Sequence, residues 1–218
     1  MPRSSSVRSS SIRAGSLSAS RKRSGRRRSP DVNPVELAAS LLGLANIALL
    51  VRRSVWNFPF ALGSVSCTGV VLWEARLYAE TGLQAFFFAT NLWGWWLWAQ
   101  ARGAEESAVP VRWMSMPERM TWSGATTVLS LSLGWLLHRF TNAALPFADS
   151  AVTGASIAAQ ILLSLRRVEN WVLWVAIDVV GIGLYLARGL PLLATLYAVF
   201  LVLSVLGLRQ WTKAARSC

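Results

Sequence analysis

A succession of long apolar runs limits the folds open to this chain more than any other feature. Seven runs follow one another from Val35 onward, at residues 35–51, 56–73, 82–100, 122–138, 148–165, 170–188 and 190–209. Each is close to the length of about 20 residues that an α-helix needs to cross a hydrocarbon layer. Because lipid offers the backbone no hydrogen-bond partners, each run is expected to be helical. The sequence therefore predicts an all-α membrane protein with seven transmembrane helices.

The composition also indicates lipid as the solvent. Charged residues make up 15% of the chain and hydrophobic residues 54%, whereas about 25% of the residues in a soluble domain are charged. The formal net charge of +12 could suggest nucleic acid, but nine basic residues and no acidic one lie within residues 1–30. Subtracting these nine from the net charge leaves +3 on the remainder. We therefore predict no nucleic-acid partner.

Motifs for catalysis and metal binding do not occur. His138 is the single histidine, and Cys67 and Cys218 have no metal-ligand spacing. The chain contains no G-x-S-x-G, no H-E-x-x-H and no phosphate-binding glycine loop. We predict a protein that is not an enzyme, with no catalytic residue, no metal site and no cofactor.

An internal repeat organises the apolar runs. Two arginine pairs each close one helix and open a Trp/Asn-rich one, and a Gly-x-x-x-Trp motif follows each pair at nearly the same distance. The matched residues are Arg52-Arg53 with Arg166-Arg167, and Gly94 and Trp98 with Gly207 and Trp211. A unit of three helices ends on the opposite side of the membrane from its start. A single extra helix between two such units makes them parallel, as in transporters built from parallel repeats.

The predicted organisation has five parts. Residues 1–33, mainly Ser, Arg and Gly, are expected to be disordered, either as a tail that contacts anionic lipid headgroups or, as we prefer, because an upstream start codon was assigned in error. The other parts are a first three-helix bundle (34–100), a loop and linker helix 4 (101–145), a second three-helix bundle (146–211) and a C-terminal tail (212–218).

The basic loop residues predict the orientation by the positive-inside rule. One side has Arg52, Arg53, Arg102, Arg112, Arg119, Arg166, Arg167, Arg209, Lys213 and Arg216, and the other has Arg76, Arg139 and Arg188. These loops favour a cytoplasmic C-terminus, whereas the arm favours a cytoplasmic N-terminus. We prefer the loops because both arginine-pair loops agree.

Polar side chains recur on single faces of three predicted helices, which indicates that they line an interior. The stripes are Gln84, Asn91, Trp95 and Trp98; Asp149, Thr153, Ser156 and Gln160; and Trp171, Trp174, Asp178 and Tyr185, with Asn170 beside the last at the helix start. The seventh run offers Thr195, Tyr197, Ser204 and Trp211, which are less neatly aligned. Such residues also hydrogen-bond between membrane helices simply as packing contacts. Asp178, a carboxylate in mid-span, stays open between a structural hydrogen bond and contact with a solute.

The twelve tryptophans exceed what an interfacial aromatic belt requires. Trp56, Trp113, Trp122 and Trp211 fit such a belt. Four indoles within residues 93–98 point around most of one helix, so some must face inward. Their π-faces favour a planar and cationic solute.

The chain resembles the PnuC-type transporters of nicotinamide riboside and related vitamins over nearly all of its length after the arm. The resembling stretches are Arg53-x-x-Trp56-Asn57-x-Pro59, Gly94-Trp95-Trp96-Leu97-Trp98, Asp149-x3-Thr153-x6-Gln160, Glu169-Asn170-Trp171-x2-Trp174-x3-Asp178, Tyr185, Thr195-x-Tyr197 and Gly207-x3-Trp211. The resemblance implies two parallel three-helix bundles joined by a linker helix, a 3+1+3 architecture like that of the SWEET sugar transporters. It also implies passive uptake by alternating access, with the substrate trapped by a cytosolic kinase.

Eleven residues form the predicted substrate site, most of them by matching the family's motifs. They are Gln84, Asn91, Trp95, Trp98, Thr153, Gln160, Asn170, Trp174, Asp178, Tyr185 and Tyr197. Our hypothesis is facilitated uptake of nicotinamide riboside for NAD biosynthesis by a multi-pass protein of the plasma (inner) membrane. The pyridinium is expected to stack on Trp rings, with the ribose hydroxyls held by Gln160, Asn170 and Asp178. Thiamine or another B vitamin, a membrane-embedded lipid-modifying enzyme, and a receptor or scaffold are the alternatives; a homo-oligomer is left open.

Overall fold

The computed structural model describes residues 34–76, 78–101, 109–141, 145–187, 189 and 191–216. Within these residues the chain forms seven helices: α1 (Pro34–Val51), α2 (Asn57–Glu74), α3 (Tyr78–Ala101), α4 (Met116–Phe140), α5 (Pro146–Ser164), α6 (Glu169–Ala187) and α7 (Pro191–Arg216). The predicted all-α fold is confirmed. The basic arm, predicted to be disordered, lies outside the described residues.

Three helices extend furthest beyond the apolar runs that predicted them, α3 and α4 at their starts and α7 at its end. α4 begins at Met116 because the Glu118 carboxylate accepts a hydrogen bond of 2.7 Å from the backbone N–H of Ser115, which caps the helix in polar sequence. α7 continues to Arg216, so most of the segment predicted as a tail is helical. Apolar periodicity detects the part of a helix in lipid and not its polar ends.

Four of the seven helices, α1, α5, α6 and α7, are long and apolar enough to cross a membrane by length and composition alone. α2, α3 and α4 carry more polar residues and tryptophan, whose hydropathy is much lower than that of leucine or valine. Each of these three helices packs against one of the four apolar helices, α2 against α1 and both α3 and α4 against α5.

The helices pack as neighbours along the chain, with two further contacts between distant parts. α1 packs on α2 and α2 on α3; α5 packs on α6 and α6 on α7; and α4 packs on α5. In addition, α3 contacts α5, and α7 contacts α1. If α1, α2 and α3 are matched with α5, α6 and α7, the α3–α5 contact corresponds to the α7–α1 contact. The pattern supports the 3+1+3 grouping into parallel units, which stays a prediction.

The turns α1–α2 and α5–α6 have the same local structure. Arg53 and Arg166 adopt the left-handed conformation, with φ of 58° and 60°. Each donates its backbone N–H at 2.9 Å to a carbonyl of the helix it ends, Leu50 for Arg53 and Leu163 for Arg166. Arg53 therefore matches Arg166, which shifts by one residue the superposition predicted from the arginine pairs.

An aromatic cluster lies where the two halves of the chain meet. Trp98 of α3 and Trp211 of α7 have ring centroids 5.7 Å apart. Phe58 stacks edge-on against Trp98 at 5.2 Å, and Trp171 against Trp211 at 5.7 Å. Trp211 is fully buried, so its predicted place in an interfacial belt is wrong. Trp56, which is 66% exposed, is free to take such a place.

Candidate functional site

A cavity of about 350 Å³ lies at the centre of the helices. Its described lining comes from α1, α2, α3, α5, α6 and α7, and α4 adds no residue to it. The polar lining consists of Asn46, Asn57, Ser64, Gln84, Asn91, Thr153, Ser156, Gln160, Asp178, Tyr197 and Ser204. The volume falls in the lower part of the range of roughly 300–1,000 Å³ typical of small-molecule sites.

Asp178 of α6 is the one carboxylate among the lining residues that the structure describes. Its side chain is buried, and its Oδ2 accepts a hydrogen bond of 2.8 Å from the Ser204 hydroxyl on α7. The described lining contains no Lys, Arg or His, so no protein cation neutralises this carboxylate there. A buried charge of this kind is costly unless it is paired, and a cationic solute would supply the missing partner.

Three buried polar atoms of the lining have no hydrogen-bond partner among the described residues. They are Asn46 Oδ1, Gln160 Nε2 and Trp171 Nε1. A buried donor or acceptor left unpaired costs about 1–3 kcal/mol. One acceptor and two donors therefore stay unsatisfied in the residues that line the cavity.

Other polar side chains of the cavity are held by their own helices. Thr153 and Ser156 donate their hydroxyls to the carbonyls of Asp149 and Val152, at 2.9 and 2.8 Å. Each hydroxyl oxygen keeps its lone pairs as acceptors. The hydroxyls therefore present acceptors whose positions are set by the helix rather than by a flexible side chain.

Aromatic rings supply part of the apolar lining. Phe87 lies on α3, Trp171 and Trp174 on α6, and Tyr197 and Phe200 on α7. Ring faces carry partial negative charge, so they attract planar cations as well as apolar groups. Combined with an unpaired carboxylate, they suit a small, planar, cationic molecule that also carries hydroxyls.

The structure brings seven of the eleven predicted site residues together. Gln84, Asn91, Thr153, Gln160, Trp174, Asp178 and Tyr197 all line the central cavity. Trp95, Trp98, Asn170 and Tyr185 are not among its lining residues. Binding of a substrate by the first seven stays a prediction that rests on this geometry.

Each of the four residues outside the lining has another environment. Trp98 belongs to the aromatic cluster, and Trp95 is 36% exposed. Asn170 is fully buried and donates its side-chain amide to the Arg167 carbonyl in the α5–α6 turn. Tyr185 contacts Tyr197, with ring centroids 4.9 Å apart and ring planes tilted by 56°. The sequence pattern placed these residues on the correct helices, but they do not lie on the helix face or at the depth of the residues that line the cavity.

Several lining residues were absent from the predicted set. Ser156 and Trp171 lay on the predicted stripes, Ser204 was among the less neatly aligned residues of the seventh run, and Asn57 lay in a family motif. Asn46 carried a usable signal, since it is a polar residue inside an otherwise apolar run. Phe87 and Phe200 carried none, because an apolar residue that lines a cavity has the same sequence signature as one that packs in a core.

Six helices around a polar cavity, in a chain with several membrane-spanning helices, define a multi-pass membrane carrier for a small solute. The chain belongs to the nicotinamide mononucleotide transporter family, whose model matches residues 33–213. The family resemblance predicted from the motifs is thereby confirmed, as is a transporter rather than an enzyme. The family also places the protein in the inner membrane as a multi-pass protein.

Relatives of known function cover most of the chain. The nicotinamide riboside transporter PnuC of Escherichia coli is 29% identical over 210 residues, covering 85% of this chain and 88% of its own. The riboflavin/roseoflavin transporter RibM of Streptomyces davaonensis is 29% identical over 188 residues, covering 83% and 85%. The crystal structure of the vitamin B3 transporter PnuC superposes with a TM-score of 0.71 at 26% identity, covering 85% of this chain and 84% of that one.

Proposed function

We propose that this protein mediates facilitated uptake of nicotinamide riboside by alternating access. The observation that carries the proposal is Asp178, a buried carboxylate without a cationic partner among the described residues that line an aromatic cavity. The E. coli relative is itself named a nicotinamide riboside transporter. Both lines point to a cationic nucleoside as the solute.

The chemistry of nicotinamide riboside matches the lining group by group. Its pyridinium ring is planar and positive, so the Asp178 carboxylate and the Trp174 and Tyr197 rings stabilise it. The ribose hydroxyls and the carboxamide both donate and accept hydrogen bonds. Asn46 Oδ1 and Gln160 Nε2 have no partner in the structure and satisfy these groups.

Passive transport needs no coupled ion, and among the described residues no group of three His, Cys, Asp or Glu is placed to hold a metal ion. Asp178 is the single carboxylate of the described lining. Net accumulation then requires a reaction that removes the free nucleoside, and phosphorylation by a cytosolic kinase does so because a phosphate adds charge. The arginine-rich loops favour a cytoplasmic C-terminus, and a homo-oligomer is compatible with this function.

Riboflavin is a second candidate because RibM matches this chain as well as E. coli PnuC does in identity. The cavity favours the smaller and charged molecule. The isoalloxazine of riboflavin has three fused rings and no positive charge, so it leaves Asp178 unpaired in a space of about 350 Å³. Thiamine is also cationic and aromatic, and the same lining accepts it.

Uptake by proteoliposomes separates these candidates. Labelled nicotinamide riboside is supplied outside vesicles that contain the purified protein, with unlabelled nicotinamide riboside, thiamine or riboflavin as competitor. Our proposal requires saturable uptake. It also requires that unlabelled nicotinamide riboside suppress this uptake at a lower concentration than thiamine or riboflavin does. If thiamine or riboflavin competes at a lower concentration, the substrate is reassigned. Uptake no faster than in protein-free vesicles contradicts the proposal itself.

A further inference from the structure

A second cavity, of about 340 Å³, lies apart from the central one and shares no lining residue with it. It is formed by the end of α3, the segment before α4 and the α5–α6 turn. Its lining includes Leu97, Val111, Ser164 and three arginines, Arg112, Arg166 and Arg167. The guanidinium groups are the chemically distinctive feature of this arginine pocket.

Backbone hydrogen bonds fix the three arginines beside one another. The N–H of Arg112 donates to the carbonyl of Arg166, and the N–H of Val168 donates to the carbonyl of Arg112, both at 3.1 Å. Arg112 and Arg167 thus form a parallel bridge. Because these contacts join two segments distant in sequence, the convergence of the arginines is built into the fold.

The positive charge of the arginine pocket exceeds its acidic partners among the described residues. Glu118 is the acidic side chain in contact, and its Oε1 accepts a hydrogen bond of 2.6 Å from Arg167. Glu169 lies nearby but pairs with Arg119 at 2.9 Å. Burial, and then the charges of Arg112 and Arg167, lower the pKa of Arg166. One carboxylate therefore faces three guanidinium groups.

Two guanidinium nitrogens of the arginine pocket are buried without a hydrogen-bond partner among the described residues. They are Arg166 Nε and Arg167 Nη1, and the Arg167 residue is only 7% exposed. An unpaired charged donor costs more to bury than a neutral one. A tetrahedral oxyanion satisfies several such donors together, because guanidinium groups bind phosphate oxygens in a bidentate manner.

We propose that the arginine pocket binds a phosphate-bearing anion through Arg112, Arg166 and Arg167. Glu118 keeps Arg167 oriented and leaves its Nη1 for the ligand. The phosphate comes either from a small phosphorylated molecule in solution or from the headgroup of an anionic lipid. The donors and the charge are the same for both sources.

The test measures the thermal unfolding midpoint of the full chain in phosphatidylcholine nanodiscs as inorganic phosphate is added, against potassium chloride at equal ionic strength. A ligand at ten times its Kd raises the midpoint by about 3–6 °C in a protein of this size. We expect this saturable rise with phosphate, its loss in Arg112→Gln/Arg166→Gln, and its retention in Arg52→Gln. Arg52 is an exposed arginine of the equivalent turn and controls for the loss of one positive charge.

A second arm identifies the source. Nanodiscs that contain phosphatidylglycerol raise the midpoint of the wild type, but not of the double variant, if the ligand is a lipid headgroup. The single variant Arg112→Gln, at an exposed position, reports weakened affinity even if the double variant does not fold. The proposal is overturned if neither phosphate nor phosphatidylglycerol raises the midpoint more than chloride does. It is equally overturned if Arg112→Gln leaves the response unchanged.

Discussion

Trp98 and Trp211 contact each other with ring centroids 5.7 Å apart, and each donates its indole N–H to a helix end in the other half of the chain. Trp98 donates to the Ser164 carbonyl of α5 at 3.2 Å, and Trp211 to the Leu50 carbonyl of α1 at 3.1 Å. The exchange is reciprocal, but the two acceptors differ by one position, because the match of Arg53 with Arg166 pairs Leu50 with Leu163 and not with Ser164. It joins the two halves of the chain at the end that carries the arginine-pair turns.

Replacing Trp211 with Phe should destabilise the protein. An aromatic ring is retained, but the Leu50 carbonyl loses one of its two donors and keeps the backbone N–H of Arg53. The loss of one buried hydrogen bond costs about 0.5–1.5 kcal/mol. The free energy of unfolding in mixed micelles measures the change. Trp56→Phe is the control because Trp56 is 66% exposed. Equal stability of the two variants would contradict a structural role for the Trp211 hydrogen bond.

Gly207→Ala should also destabilise the protein, because a Cβ at this position lies 2.5 Å from the Trp171 ring. Forcing a methyl group into a packed core typically costs about 1–3 kcal/mol. Gly183→Ala is a matched control in a neighbouring helix, since nothing lies within 4 Å of its Cβ. Thermal unfolding midpoints compare the two. A midpoint for Gly207→Ala at or above that of Gly183→Ala would show that Gly207 is not packed closely against Trp171.

The tryptophans predicted to contact the substrate should separate into two classes. Trp174 lines the central cavity, whereas Trp95 does not. Trp174→Ala removes a cation–π contact worth about 0.5–2 kcal/mol, so KM for nicotinamide riboside uptake should rise roughly 2- to 30-fold. Trp95→Ala should leave KM unchanged. An equal rise of KM in both variants would contradict this separation of Trp174 from Trp95.

Gln160 should contribute a hydrogen bond to the bound solute. Its Nε2 is buried and has no partner among the described residues. Gln160→Ala removes one neutral hydrogen bond, worth about 0.5–1.5 kcal/mol, and should weaken the affinity for nicotinamide riboside about 2- to 12-fold. Isothermal titration on the purified protein measures it, with Gln100→Ala, an exposed position on α3, as the control. An unchanged Kd for Gln160→Ala would remove this contact from the site.

The fold could be predicted from the sequence because lipid gives the backbone no hydrogen-bond partners, so each membrane-spanning segment must be an apolar helix. The apolar runs therefore identified all seven helices of the described chain, with the largest errors at the starts of α3 and α4 and the end of α7, where polar residues continue the helix. The pairing of the repeats was displaced by one residue. The left-handed residue is the second arginine of the first pair and the first arginine of the second, and a pattern of residue types does not reveal φ.

The candidate site was readable where a polar residue interrupts an apolar face, as Gln160 and Asp178 do. It was not readable for tryptophan, because an indole in a membrane helix suits lipid, an interface, a core or a cavity equally well. Trp98 was predicted to bind substrate and packs in the aromatic cluster, while Trp171 was left out of the predicted set and lines the cavity. Only the rotation and depth of each helix separate these environments.

The affinity of the purified protein for nicotinamide riboside, compared between the wild type and Asp178→Asn, tests the central claim most directly. The substitution keeps the shape of the side chain and its contact with Ser204 but removes the negative charge that faces the pyridinium. Losing a charge-assisted interaction worth about 1.5–3 kcal/mol should weaken binding roughly 10- to 150-fold. Glu80→Gln, an exposed acid of α3, should bind as the wild type does. If Asp178→Asn binds nicotinamide riboside as tightly as the wild type, the carboxylate does not recognise the substrate and the account is contradicted.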